Sequence, residues 1–200
     1  MKRIKLLSSL AILVIVASCS KKNNAFVSPP VVAKDVYVAG FENNGTNNVV
    51  KVWKNGIAAT LTDGSTGAYA NSVFVSDTNV YIAGGYDYAG VAKLWTNGLI
   101  APLPDAGNGA VAQSVFVNDN DVYTAGFYYA GNTSGNEAVL WKNGVATSLT
   151  DGQYSAFAYS VFASGTDVYV AGSQTVIVGG FQASEAVLWK NGMANPAYRW

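Results

Sequence analysis

The sequence predicts an all-β fold made of four copies of one four-stranded antiparallel unit. Three observations carry that expectation. The first is a motif written four times: Val52-Trp53-Lys54-Asn55-Gly56, Leu94-Trp95-Thr96-Asn97-Gly98, Leu140-Trp141-Lys142-Asn143-Gly144 and Leu188-Trp189-Lys190-Asn191-Gly192. Asn-Gly between apolar runs is the strongest short-range hairpin signal, because a type I′ turn needs φ > 0 at both central residues. The second is a pair of further columns in the same register. Asp35-Val36-Tyr37-Val38-Ala39-Gly40 returns at 79–84, 121–126 and 167–172, and Ser72-Val73-Phe74-Val75 returns at 114–117 and 160–163. The third is composition: half of the 200 residues are hydrophobic and 21 are Gly, a mix that favours strands and tight turns over helices.

The chain opens with Met1-Lys2-Arg3-Ile4-Lys5, then an apolar run from Leu6 to Ala17 broken only by Ser8 and Ser9. A basic start before a short apolar run reads as a secretory signal, too short for a comfortable membrane span. It ends Val16-Ala17-Ser18-Cys19, which resembles the lipobox of bacterial lipoproteins. That resemblance implies a signal peptide at 1–18, lipidation (palmitate among the acyl chains) on Cys19, and a lipidated tether over 19–30. Several acyl chains, at about 0.8 kcal/mol per buried CH₂, hold a membrane stably where one chain does not. Ser20 stands where an inner-membrane lipoprotein would carry Asp, so the resemblance further implies the outer membrane, with either face open. Pro29-Pro30 stiffens the entry to the repeats.

The repeat region runs over 31–200, with units near 31–61, 71–103, 113–149 and 159–198. Tyr37, Tyr81, Tyr123 and Tyr169 fall 44, 42 and 46 residues apart, a period typical of repeat architectures. In the second unit, strand a is expected at 72–75, strand b at 80–84, strand c at 92–96 and strand d at 99–103. Residues 76–79 form the a–b turn and Asn97-Gly98 the c–d turn. Ala and β-branched residues occupy both parities of strands a and b, as in strands buried on both faces. A sandwich with one wet face would alternate more cleanly, and Asn-Gly hairpins force the antiparallel pairing that a parallel β-helix lacks. The chain therefore resembles the β-propeller superfamily over about residues 31–200, as about four four-stranded blades. Such a chain is a small closed ring, an open arc that pairs with a second copy as a homodimer, or a shortened larger propeller. Neither WD40 nor kelch marks are present.

What the chain lacks bounds its chemistry. There is no His and only one Cys, which removes Ser-His-Asp and Cys-His nucleophiles and His/Cys zinc sites. No cofactor or metal is expected. With Lys2, Arg3 and Lys5 in the leader, nine Lys/Arg face twelve Asp/Glu from Cys19 onward, a net charge of −3. A mildly acidic body argues against nucleic acid.

In an antiparallel blade the a–b and c–d turns share one face, and the b–c loops and d–a connectors share the other. The b–c loops, expected at 41–48, 85–90, 127–136 and 173–184, vary in length and sequence, and variable loops on a rigid scaffold are where binding sits. Phe41, Tyr86, Tyr88, Phe127, Tyr128 and Tyr129 are the candidate ligand contacts, with Phe181 beside them and Tyr69, Tyr154, Phe157 and Tyr159 in the connectors. Tyr offers rigid area and a polar tip, which suits a glycan or a partner protein. Trp53, Trp95, Trp141 and Trp189 recur too strictly for a binding role and are expected to pack blade against blade. Asp63, Asp105 and Asp151 read as turn-makers, and 118–121 as a turn without the Gly and Glu of a calcium loop. Glu137 and Glu185 are the carboxylate pair that a glycoside hydrolase would need. The expected function is a non-catalytic, lipid-anchored envelope module binding a glycan through the b–c face. The alternatives are an outer-membrane interaction scaffold and a carboxylate-dependent hydrolase.

Overall fold

Four Asn-Gly turns pin four sheets. Asn55, Asn97, Asn143 and Asn191 have φ of 51–52°, and the glycines that follow lie at 79–83°, the backbone of a type I′ turn. The computed structural model describes residues 34–86, 90–105, 109–131 and 134–196. From Asp35 onward they belong to one compact unit.

The first sheet holds β1 (Tyr37–Asn43), β2 (Asn48–Lys54) and β3 (Ile57–Thr60). The second holds β4 (Ala68–Ser76), β5 (Asn79–Tyr86), β6 (Val91–Thr96) and β7 (Leu99–Pro102). The third holds β8 (Ala110–Asn118), β9 (Asp121–Tyr128), β10 (Glu137–Lys142) and β11 (Val145–Ser148). The fourth holds β12 (Ala156–Ser164), β13 (Asp167–Val178), β14 (Phe181–Lys190) and β15 (Met193–Pro196). Each sheet is antiparallel with its strands in chain order; the second, third and fourth are blades of the a-b-c-d kind, and the first shows strands b, c and d. The fold is all-β and propeller-like. In the first blade the sequence puts strand a at 31–34, of which only Lys34 is among the described residues, and three strands are seen.

Strands a and b are longer than their sequence columns, and the extension contains a bulge. The register slips between Ala70 and Ser72, Ala112 and Ser114, and Ala158 and Ser160. One residue is left over each time: Asn71, Gln113 and Tyr159. This explains the glycine that closes the Tyr-x-Ala-Gly motif in the second, third and fourth blades. A Cβ on Gly84, Gly126 or Gly172 would lie 2.0, 1.8 or 2.0 Å from the carbonyl oxygen of Tyr69, Val111 or Phe157. Only Gly lets the bulged strand come that close.

The core is a series of blade junctions. Trp95 packs with Ala39 and Val50 of the first blade, Trp141 with Ala83 and Ala92 of the second, and Trp189 with Ala125 and Ala138 of the third. All three indoles are fully buried. Strand a carries the junctions inward. The Val115 N–H donates to Ser72 Oγ and the Val161 N–H to Ser114 Oγ, each at 3.2 Å. Phe74, Phe116 and Phe162 stack from blade to blade with centroids 4.8 and 5.0 Å apart. Among the described residues no core cluster joins the fourth blade to the first. The described blades form an open arc.

Candidate functional site

The face of the c–d turns is built the same way in every blade. Each turn Asn folds its side chain onto the start of strand b: the N–H of Val36, Val80, Val122 or Val168 donates to the Oδ1 of Asn55, Asn97, Asn143 or Asn191 at 2.8–2.9 Å. The Asn Nδ2 then donates to Asp35, Asn79, Asp121 or Asp167. In three blades a lysine completes the cluster, with Lys54, Lys142 and Lys190 within 2.7–2.8 Å of Asp35, Asp121 and Asp167. These lysines also lie over the rings of Tyr37, Tyr123 and Tyr169. The lysine, and then the turn Asn, hold each carboxyl below its ordinary range, and the carboxylate holds the lysine above its own. In the second blade Asn79 and Thr96 replace Asp and Lys together, so neither charge is left alone. These groups are partnered by one another, within each blade and in the same way around the arc.

The opposite face is where the blades differ, and it changes the placement of most sequence candidates. Phe41, Tyr86, Phe127 and Tyr128 lie in strands rather than in b–c loops, because strand b runs on, in the second and third blades past the bulge. Tyr69, Phe157 and Tyr159 likewise lie in strands a, not in connectors, and Phe181 begins β14. Phe127 and Tyr128 are buried. Phe127 meets Phe157 of the next blade edge-on at 4.9 Å, and Tyr128 meets Trp141 at 5.8 Å, so both are packing residues and not free ligand contacts. Burial, then the charges of Glu137 and Asp105, push the Tyr128 phenol upward, which keeps it neutral. Tyr86 is half-buried beneath Lys93. Phe41 and Tyr129 are exposed, and Tyr129 lies edge-on to Phe127 at 5.6 Å. Tyr88 and Cys19 lie outside the described residues. Among the described ring contacts between the candidate ligand residues, only Phe127 and Tyr129 meet; alternation turns Tyr128 to the other face of the strand, and Phe127 and Tyr128 are both buried because the blade is covered on both sides.

What this face does offer is a groove between the third and fourth blades. Two adjoining hollows of about 340 Å³ each share Tyr154 and Thr175. The first is walled by Thr150, Asp151, Gln174 and Val176, the second by Ser134, Gln153, Ser155 and Gln182. The fourth blade makes this possible, since its b–c segment is not a loop. β13 and β14 continue as a hairpin to a Gly179-Gly180 turn with φ of 61° and 86°, and Val176 to Val178 pair with Phe181 to Ala183. The hairpin stands above the blade as one wall of the groove. Tyr154, on the connector from the third blade, is partly exposed within the groove. Asp151 is occupied in accepting the Gln153 N–H at 3.0 Å, and Asp63 likewise holds Ser65. The lining is therefore amides, hydroxyls and one phenol, with aliphatic Ala156, Val176 and Ile177 in the first hollow and the Asp151 carboxylate at its rim holding a turn through one oxygen.

The carboxylate pair proposed for hydrolysis is placed elsewhere. Glu137 accepts from Ser148 at 3.1 Å and Glu185 from Gln174 at 2.8 Å, each within its own blade, and neither lines the groove. Sequence reasoning missed Gln153, Gln174, Thr175 and Gln182. The Gly-Gly between Val176-Ile177-Val178 and Phe181 was the signal that the longest b–c segment is a hairpin with a polar flank.

No family model matches the chain, and no curated protein does. Among solved structures the chain is similar to the acylaminoacyl peptidase of Pyrococcus horikoshii, at 14% identity and a TM-score of 0.49. The similarity covers 82% of this chain and 26% of that one, so the chain spans about a quarter of that protein's length.

Proposed function

We propose that this chain is a lipid-anchored envelope module that binds a neutral glycan in the groove between its third and fourth blades. The supporting observation is the lining: one exposed phenol, Tyr154, among Gln153, Gln174, Gln182, Thr150, Thr175 and Ser155, with Asp151 the one charged group and one of its oxygens holding a turn. A polyol needs that combination, an apolar ring face to lie on and uncharged donors and acceptors around it. The anchor rests on the leader, whose lipobox resemblance makes Cys19 the acylated residue and the outer membrane the location. Among the described residues no helix is long and apolar enough to cross a membrane.

The test is a glycan and polysaccharide binding screen on the full chain beside Tyr154→Ala. Loss of about 1.4 kcal/mol, a tenfold weakening, with the melting temperature unchanged, supports the groove. Unchanged binding in Tyr154→Ala, or no glycan bound by the folded chain, overturns it. Metabolic palmitate labelling that disappears in Cys19→Ser tests the anchor separately.

A second reading, an interaction scaffold, is favoured by the tip of the same hairpin, where the cross-strand pair Val178 and Phe181 stands exposed. Exposed apolar groups of this kind mark protein contacts. Phe181→Ser would weaken a protein partner and leave glycan binding intact.

A further inference from the structure

We propose that the free face of the fourth blade docks onto the free face of the first blade in a second copy of this chain. Every blade has two different faces, and the repeats show both halves of their junction three times. The face toward the preceding blade carries the Trp of strand c and the residue before Ala in strand b. That residue is only 1–2% exposed at Ile82, Thr124 and Val170 but 53% exposed at Val38. Trp53, the first of the four indoles, is likewise only half-buried while the other three are fully covered.

The face toward the following blade is a shallow hollow made by two small residues. Ala83 with Ala92 and Ala125 with Ala138 form it in the second and third blades, fully buried under Trp141 and Trp189. Ala171 and Ala186 are the same pair in the fourth blade, and both are exposed. Beside them Phe162 ends the stack of phenylalanines 52% exposed. Ser160, whose counterparts Ser72 and Ser114 each accept an N–H from the next blade, is exposed as well.

The described arc therefore presents a Trp knob at one side and an Ala-Ala hollow at the other. What fits each is already visible inside the molecule: another blade of the same sequence. A contact of hollow to knob is heterologous, so it either closes into a ring or runs on as a filament. Two copies supply eight described blades, the upper end of the usual range of about 4–8, and each described free face finds a partner. This inference is independent of what the groove binds.

The experiment is sedimentation equilibrium of the full chain in nonionic detergent, with Val38→Glu and Ala171→Glu as variants. Both sites are exposed in the single chain, so each variant should keep its circular dichroism. The expected result is a self-associated wild type, either variant alone monomeric, and an equimolar mixture of the two recovering a dimer. Recovery occurs because one copy keeps a sound hollow and the other a sound knob. Ala186→Arg should behave as Ala171→Glu and guards against misfolding of one variant. A monomeric wild type overturns the proposal. So does association that survives both substitutions, or association lost in Val38→Glu alone, which would mean two first blades meeting face to face.

Discussion

The two faces of the arc are built on opposite principles. On the c–d turn face every blade repeats one cluster of turn Asn, strand-b backbone and an Asp or Asn. On the b–c face the segments differ in length, and one becomes a hairpin that walls a groove. The constant face spends its polar groups on itself: Asn143 alone binds the Val122 N–H and Asp121. The variable face also binds some of its polar groups, Gln174 to Glu185 among them, but leaves Gln153, Tyr154 and Gln182 exposed to solvent. A side chain saturated by its own blade stabilises, and one that is not is available to a ligand.

The largest way to break this comparison is at the junctions beneath both faces. Trp141→Ala removes a fully buried indole that also donates to the Pro104 carbonyl at 2.9 Å. It should cost about 3–5 kcal/mol, read as a loss of denaturant midpoint. Gly126→Ala should do comparable damage through a different cause, because its Cβ would fall 1.8 Å from the Val111 carbonyl oxygen and the bulge could not form. A Gly126→Ala protein as stable as wild type would refute the bulge as the reason for that glycine.

Asn143→Ala acts on the constant face alone. It strands a turn that needs φ > 0 and removes two side-chain hydrogen bonds, for about 1–2 kcal/mol. Asn143→Gly should recover the conformational part only. Neither should alter ligand affinity. Tyr154→Ala is the mirror case: stability should move by less than about 0.5 kcal/mol, while binding falls.

The smallest effect is electrostatic. Asp35, Asp121 and Asp167 have depressed folded carboxyl pKa values, so their contribution is present above the ordinary value of 3.8 and is lost as pH falls through the depressed one. These carboxyls are open to solvent, and the consequence for stability is slight. Carboxyl chemical shifts should show all three titrating below 3.8, each displaced upward when its own lysine is changed to Met. Titration at the ordinary value would remove the ion pairs from the account of the constant face.

The same contrast explains what could be read from the chain. Asn-Gly turns and the Trp column were legible because four copies of one solution leave a period, and periodicity is the strongest signal a sequence carries. The bulge was invisible, since an extra residue in a strand leaves no mark except a glycine on its partner. Missing it shortened strands a and b, and that pushed Phe127 and Tyr128 into loops they do not occupy. The openness of the arc was also out of reach, because Val38 and Val170 are the same residue in the same column. Only the presence of a neighbour distinguishes them. The groove was hidden for a further reason: Tyr154 and Gln182 come from different blades, and nothing in their spacing brings them together.

The most direct test of the account measures melting temperature and glycan affinity side by side for Tyr154→Ala and Asn143→Ala. The account expects the two readouts to separate, with Tyr154→Ala melting as wild type but binding about tenfold more weakly, and Asn143→Ala melting earlier with affinity unchanged. If both variants lost stability together, or if affinity followed Asn143 instead of Tyr154, the division between a constant face that folds and a variable face that binds would be wrong.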